Sequence, residues 1–351
     1  MENIFENQIS VWDCFKTASM PVVLYGMGDG ADKVINAFDK LNIKPSAVMA
    51  SDDFVRGQSF RGFKVQKLSD IEETYNDFII ALCFGSQLED VMAHIKSVAK
   101  KHTLLVPSVP VFGENIFDST FVKKYFSLIS KAYDVFEDET SKQVYKNILL
   151  FQYTGKLEYL EKSESPKDEA FTSILRLSDK EFFADLGACK GDTIEEFLNY
   201  TKSYEKILAF EPNPKNYEKL KKHCESIENT ELWNIAAYSK DATLYFNKKS
   251  GRSSAESTSG IPVKASSLDS ILAGRKATYV KMDVEGGEAA AISGACETLK
   301  RFKPKLNIAA YHRSEDIFSL PLIIKAVNPR YKIYLRHHPY IPFWDTNLYC
   351  I

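Results

Sequence analysis

The stretch that most constrains this chain is FFADLGACKGDT, residues 182–193. Its apolar half reads as a buried strand, and Gly187 and Gly191 turn the strand out of the sheet. A helix pattern opens at Thr193 and runs on as IEEFLNYTKSY, with Thr193 and Glu196 spaced as a capping box. A strand that stops at a glycine turn and reopens as a helix gathers unsatisfied backbone N–H groups and a positive dipole end at one point. Such points hold nucleotide-like ligands in α/β proteins. The rest of the chain has to say which ligand.

With 351 residues, two domains are favoured over one. Lys and Arg total 45 against 47 Asp and Glu, so no electrostatic footprint for nucleic acid is expected. The opening MENIFENQISVWDCF has neither a basic start nor an apolar core, so no signal peptide is expected. No apolar run approaches the roughly 20 residues of a membrane span. Six cysteines (Cys14, Cys83, Cys189, Cys224, Cys296 and Cys350) lack metal-site spacing. They read as reduced thiols of a cytoplasmic protein, with no structural metal site.

Residues 1–113 read as a small Rossmann-like domain. PVVLYGMGDGADKVINAFDKL gives a strand, then Gly26, Gly28 and Ala31, then a helix; AVMA follows as a strand ending at Asp52 and Asp53. This fits G-x-G-x-x-A in its proper context and leaves two readings open, a nucleotide or nucleotide-sugar pocket around Gly26, Gly28 and Asp52, or glycines that only let the turn close and the helix pack. FIIALCFGS adds a strand tipped by Gly85, and TLLVP another. Residues 114–178 read as a helical connector, with Phe121, Phe126, Ile129 and Tyr133 at helical spacing and Val144, Ile148 and Leu149 repeating it. Thr140 or Ser141 is the expected cap of the second helix. Phe151, Tyr153 and Tyr159 offer flat faces that could cover a sugar.

Residues 179–351 carry the chemistry. KILAFEPNP puts Glu211 at the tip of the next strand, followed by Pro212 and by Asn213 and Pro214 as a helix cap and first helical residue. A carboxylate there can accept both hydroxyls of a ribose. The turn is D-x-G-x-x-x-G, with no second glycine for a pyrophosphate. That favours a nucleoside with a charged amino-acid tail, S-adenosylmethionine, with Asp185 near the cationic tail. ELWNIAAYS is the expected third strand, its tip at Ala236 beside an adenine. TYVKMDV ends at Asp283, with Glu285 and Glu288 at the opening of a helix, where Glu288 is favourable with the dipole. KPKLNIAAYHRSED puts His312 at the end of a fifth strand. Of His337 and His338, at most one faces a cleft. YKIYLRHH and TNLYCI close the chain as an antiparallel β-hairpin. The fold class is α/β, with two Rossmann-like units. Five βα units and a terminal hairpin give the C-terminal one the layout of a class I methyltransferase sheet.

The chain here resembles the FkbM family of S-adenosylmethionine-dependent methyltransferases. DLGACKGDT, FEPNP, NIAAYS, SLDSIL, KMDVEGGEAAAISGACETLKRFKPKL and the closing YLRHH and DTNLYC carry the likeness, over about residues 181–351. Cys189 stands where a small or polar residue is usual. The resemblance implies O-methylation of a small-molecule or sugar acceptor, possible partners being nucleotide-linked sugars, in glycan or secondary-metabolite synthesis. Asp185, Gly187, Ala188, Gly191, Glu211, Pro212, Asn213, Ala236 and Asp283 are the expected cofactor residues. Transfer to a neutral hydroxyl needs a proton acceptor near the methyl, and His312 and Asp283 sit at the right strand ends, His312 being the better base by ordinary pKa. Two rivals remain open on sequence: an NAD(P)-dependent nucleotide-sugar oxidoreductase and a non-catalytic binding module. The loop KKSGRSSAESTSG is an expected hairpin loop or lid. Oligomeric state is open.

Overall fold

The computed structural model describes residues 2–246 and 261–351; the loop expected as a lid lies outside them. The chain divides into two compact units, Met1–Ser130 with Gln143–Glu164 and His337–Asp345, and Lys131–Lys142 with Ser165–Arg336 and Thr346–Ile351. The segment expected as a connector is helical (Ser119–Tyr133, Glu139–Thr154, Leu157–Glu161) and is shared between them. Its second helix begins earlier than expected. Asp138, not Thr140 or Ser141, accepts the Ser141 N–H at 2.7 Å, which frees the buried Ser141 hydroxyl to accept from the Leu335 N–H. Phe151 and Tyr153 are buried, so neither offers an open face for a sugar.

The first unit is a six-stranded sheet. Its strands are β1 (Val22–Tyr25), β2 (Ala47–Met49), β3 (Ser59–Phe60), β4 (Phe63–Gln66), β5 (Ile79–Leu82) and β6 (Thr103–Leu105), in the order β3-β4-β2-β1-β5-β6. All pairs are parallel except β3 with β4. β1 and β5 are buried throughout, as four-residue apolar runs in a parallel sheet should be. Close packing accounts for much of the glycine turn. A Cβ on Gly30 would lie 2.1 Å from the Cys83 carbonyl oxygen, whereas Gly28 faces open space. Asp52 and Asp53 sit exposed in a 3-10 turn. At the tip of β5, Gly85 lies against the Trp344 ring, and Ser86 and Ile341 exchange backbone hydrogen bonds. His337 and His338 are both buried, and their segment folds with this unit.

The second unit is a seven-stranded sheet with a small satellite. Its strands are β7 (Phe182–Leu186), β8 (Lys206–Phe210), β9 (Thr230–Trp233), β10 (Ala236–Ala237), β11 (Ala242–Phe246), β12 (Ile261–Ser266), β13 (Tyr279–Met282), β14 (Lys305–Ala309), β15 (Ile333–His337) and β16 (Thr346–Cys350). The large sheet runs β15-β16-β14-β13-β7-β8-β9, parallel from β14 to β9, with β16 antiparallel to β14. The terminal strand is thus inserted between β14 and β15, as the reversed end expected of a class I methyltransferase sheet requires. The stretch ELWNIAAYS is not one strand. It breaks after Trp233, and Ala236 joins the three-stranded sheet β10-β12-β11, whose apolar cluster is Ala236, Leu244, Val263 and Ala265. Beneath the large sheet, Phe183, Phe197 and Tyr279 stack with centroids 4.6 to 6.1 Å apart, each fully buried.

Candidate functional site

The carboxyl ends of β7, β8, β13 and β14 meet at the predicted turn. Gly187 is there because nothing else fits: its φ is +93°, and a Cβ would lie 1.9 Å from the Asp283 carbonyl oxygen. The turn therefore presses directly on the end of β13. The helix that follows runs Asp192–Tyr200 with Gly191 as its cap, so the expected Thr193–Glu196 capping box does not form. Thr193 instead donates from its hydroxyl to Asp185 Oδ2. Glu196 pairs with Lys167 at 3.0 Å. A buried carboxylate beside the helix start outcompetes the local cap.

The turn is also less open than its sequence implies. The Gly187 and Ala188 N–H groups both donate to the Phe210 carbonyl, at 3.0 and 2.9 Å, and Gly191 N–H donates to Ala188 at 2.9 Å. The Cys189 N–H donates to Glu211 Oε2 at 2.9 Å. Four donors that could cradle a phosphate are satisfied within the protein. Glu211 Oε1 accepts the Asn213 N–H at 2.7 Å, and Asn213 in turn caps the helix Pro214–His223 as expected. Pro212 lies between them, its carbonyl accepting from Asn234 at 3.2 Å. Burial pushes the Glu211 carboxyl up to about 7 against the pull of those two N–H bonds.

Asp185 is fully buried, and its Oδ1 has no hydrogen-bond partner among the described residues. Lys281 Nζ lies 3.7 Å from Asp185 Oδ1 and 3.7 Å from Asp283 Oδ2. Burial raises the Asp185 carboxyl despite this neighbour. Lys281 is itself buried, yet the two carboxylates hold its ammonium above the usual range. Asp283 opens outward, its side chain 33 % exposed. Burial would raise its carboxyl, but Lys281 and His312 outweigh that and keep it ionised. The Tyr311 hydroxyl lies 3.4 Å from Asp283 Oδ2.

His312 is buried. Its Nδ1 is 2.9 Å from Glu288 Oε1, and its Nε2 is 3.4 Å from Asp283 Oδ1 and 3.8 Å from Glu285 Oε2. Burial alone would lower its pKa; Glu288, Asp283 and Glu285 raise it to about 9. It is therefore charged at neutral pH in the free protein, unlike a histidine of ordinary pKa. Among the described residues, Asp283, Glu288 and His312 form one group close enough to share a cation. The two ring nitrogens face different carboxylates, so the imidazole bridges them.

Of the predicted residues, Asp185, Gly187, Ala188, Gly191, Glu211, Pro212, Asn213, Asp283 and His312 lie in this connected set of strand ends and turns, while Ala236 sits in the satellite sheet. Sequence reasoning passed over Lys281 and Tyr311, read Thr193 as half of a capping box, and read Glu288 as a further carboxylate or a dipole partner. The signal for Lys281 was present: a lysine inside a strand buried on both faces needs a partner charge.

Residues 185–341 match the family model described as the methyltransferase FkbM domain. Among solved structures, a methyltransferase FkbM from Methylobacillus flagellatus KT is similar at 19% identity with a TM-score of 0.73, over 99% of this chain and 92% of that one. At that identity the likeness speaks for the fold. A fibrillarin from Aeropyrum pernix with natively bound S-adenosyl-L-methionine shares 14% identity over 52% of this chain and 73% of its own, at a TM-score of 0.35. A precorrin-6y C5,15-methyltransferase from Geobacter metallireducens GS-15 shares 13% over 54% and 90%, at 0.34. No curated protein matches the chain.

Proposed function

From a C-terminal region that belongs to the FkbM methyltransferase family, we propose a cytoplasmic S-adenosylmethionine-dependent O-methyltransferase acting on a hydroxyl of a sugar or other small molecule. The observation that carries the cofactor is the pairing of Glu211 with a turn in which the Gly187, Ala188, Cys189 and Gly191 N–H groups are already taken. A pyrophosphate cradled in such a turn needs free N–H donors, and these four are bonded internally. A ribose needs acceptors, and the buried Glu211 supplies them.

The charge supports the same ligand. Asp185, Glu211, Asp283 and Glu285 act on one another across the strand ends, and among the described residues Lys281 and His312 are the cations that offset Asp185 and Asp283. A cationic ligand relieves that repulsion. S-adenosylmethionine, when bound, supplies a methyl on a positively charged sulfur. Glu211 would hold its ribose, Asp185 would lie nearest its amino-acid tail, and the small Ala188 and Gly187 would let it approach the backbone. Asp283, as the exposed member of the pair, would hold the acceptor hydroxyl, and His312 beside it would take the proton. Only the neutral imidazole can do so.

Transfer from methyl-labelled S-adenosylmethionine to a panel of nucleotide-linked sugars, free sugars and polyols tests this reading. The expected product carries the label as an O-methyl ether, identified by mass spectrometry and NMR. Label arriving only on nitrogen or carbon would sink the hydroxyl assignment. No helix among the described residues is long and apolar enough to cross a membrane.

A further inference from the structure

We propose that Glu288 is a positioning residue: its buried carboxylate holds His312 by Nδ1, turns Nε2 toward Asp283, and sets how readily Nε2 takes the acceptor's proton. The contact stands on geometry, while its consequence for catalysis rests on the methyl-transfer reading above.

Glu288 is the first residue of the helix Glu288–Gly294. A carboxylate there stabilises the helix dipole while facing water, but Glu288 is 0% exposed. Burying a carboxylate costs several kcal/mol unless donors surround it. Glu288 Oε1 has three: the Val284 N–H at 2.9 Å, the Gly286 N–H at 3.4 Å and His312 Nδ1 at 2.9 Å. Val284 and Gly286 belong to the turn that carries Asp283 off the end of β13. One oxygen thus ties the Asp283 turn to the imidazole that faces Asp283, and the two cannot drift apart without breaking it.

The arrangement also decides the tautomer. A carboxylate on Nδ1 keeps a proton there, so the nitrogen that gains and loses one is Nε2. In the step this serves, the acceptor oxygen bonds to the methyl carbon and the carbon–sulfur bond breaks with its electron pair on sulfur. The hydroxyl proton passes to Nε2. The charge then present on the ring is balanced by Glu288 behind it. The other groups facing His312 are Asp283 and Glu285 from the turn after β13, and Asp316 from the helix Asp316–Val327. The Tyr311 ring lies against it at 4.2 Å. Arg313 Nε donates to the Gly286 carbonyl at 2.8 Å. Burial and the nearby Glu288 hold the Asp316 carboxyl well above the usual range, and Glu288 is the carboxylate in contact with Nδ1.

Glu288→Gln is the informative variant, because glutamine keeps an oxygen for all three donors and removes the charge, its amide nitrogen taking the place of Oε2, which has no hydrogen-bond partner among the described residues. The readouts are the NMR titration of the His312 imidazole and the pH dependence of kcat/KM, in wild type and variant. In the variant the imidazole pKa is expected to fall by about one unit or more, and the pH at which the rate rises should fall with it. A melting temperature near that of wild type would show the fold is kept. An imidazole titration that does not move would overturn the proposal. A shifted imidazole with an unmoved rate profile would overturn the catalytic part and the base role of His312, leaving methyl transfer itself standing.

Discussion

Gly187→Ala is expected to destabilise the protein by roughly 3–5 kcal/mol and to abolish measurable binding of S-adenosylhomocysteine. Two separate penalties act at this residue. The backbone sits at φ +93°, a conformation that costs a residue with a Cβ about 1–2 kcal/mol. The added Cβ would also stand 1.9 Å from the Asp283 carbonyl oxygen. Backbone cannot swing aside as a side chain can, so the turn or the end of β13 has to move. Either movement displaces Asp283 from His312 and the turn from Glu211. Gly274→Ala is the control: its φ is +87°, but nothing lies within 4 Å of a Cβ there. It should lose only the conformational part, about 1–2 kcal/mol. Denaturant unfolding of both variants separates the two penalties. Equal losses would show that the contact with Asp283 does not constrain the turn.

His312→Ala should lower turnover by about 10²- to 10⁴-fold, the usual range for removing a general base, while S-adenosylhomocysteine still binds. It should also destabilise the fold, by roughly 3–5 kcal/mol, because the buried Glu288 loses its charged partner. The stability loss has a pH signature. The imidazole pKa is raised from its ordinary value to about 9 in the folded protein. Its contribution is therefore fully present below about pH 6.5 and is lost as pH rises through about 9. The gap in stability between wild type and variant should narrow over that interval. A gap that widens with pH would mean that the folded protein holds the ring neutral. Turnover unchanged in a folded variant would remove His312 from the chemistry.

The parts of this site that were legible in the sequence are those decided locally. Asn213 followed by Pro214 can do little but start a helix, and the helix Pro214–His223 starts there. Gly187 and Glu211 were legible because a strand end, a tight turn and an acidic residue on the next strand keep a fixed order in any parallel βα unit. What sequence could not give were choices made by distant partners. Thr193 and Glu196 have the spacing of a capping box, yet Asp185, brought alongside by β7, takes the Thr193 hydroxyl. Glu288 looks like an ordinary first-turn acid until β14 delivers His312 beside it. The run ELWNIAAYS looks continuous, and its break after Trp233 is set by pairing of β10 with β12, nearly thirty residues away in the chain. The charged state of His312 follows from three carboxylates converging on one ring, which spacing does not reveal.

Glu211 and the turn at Gly187 are the parts proposed to hold S-adenosylmethionine. Calorimetric titration of S-adenosylhomocysteine into wild type and Glu211→Ala at pH 8 tests this most directly, because Glu211 with its pKa of about 7 is then ionised. Wild type should bind, and the variant should bind at least about 10-fold more weakly, the loss expected when a charge-assisted pair of hydrogen bonds is removed. No binding to wild type, or equal binding to both proteins, would contradict the account.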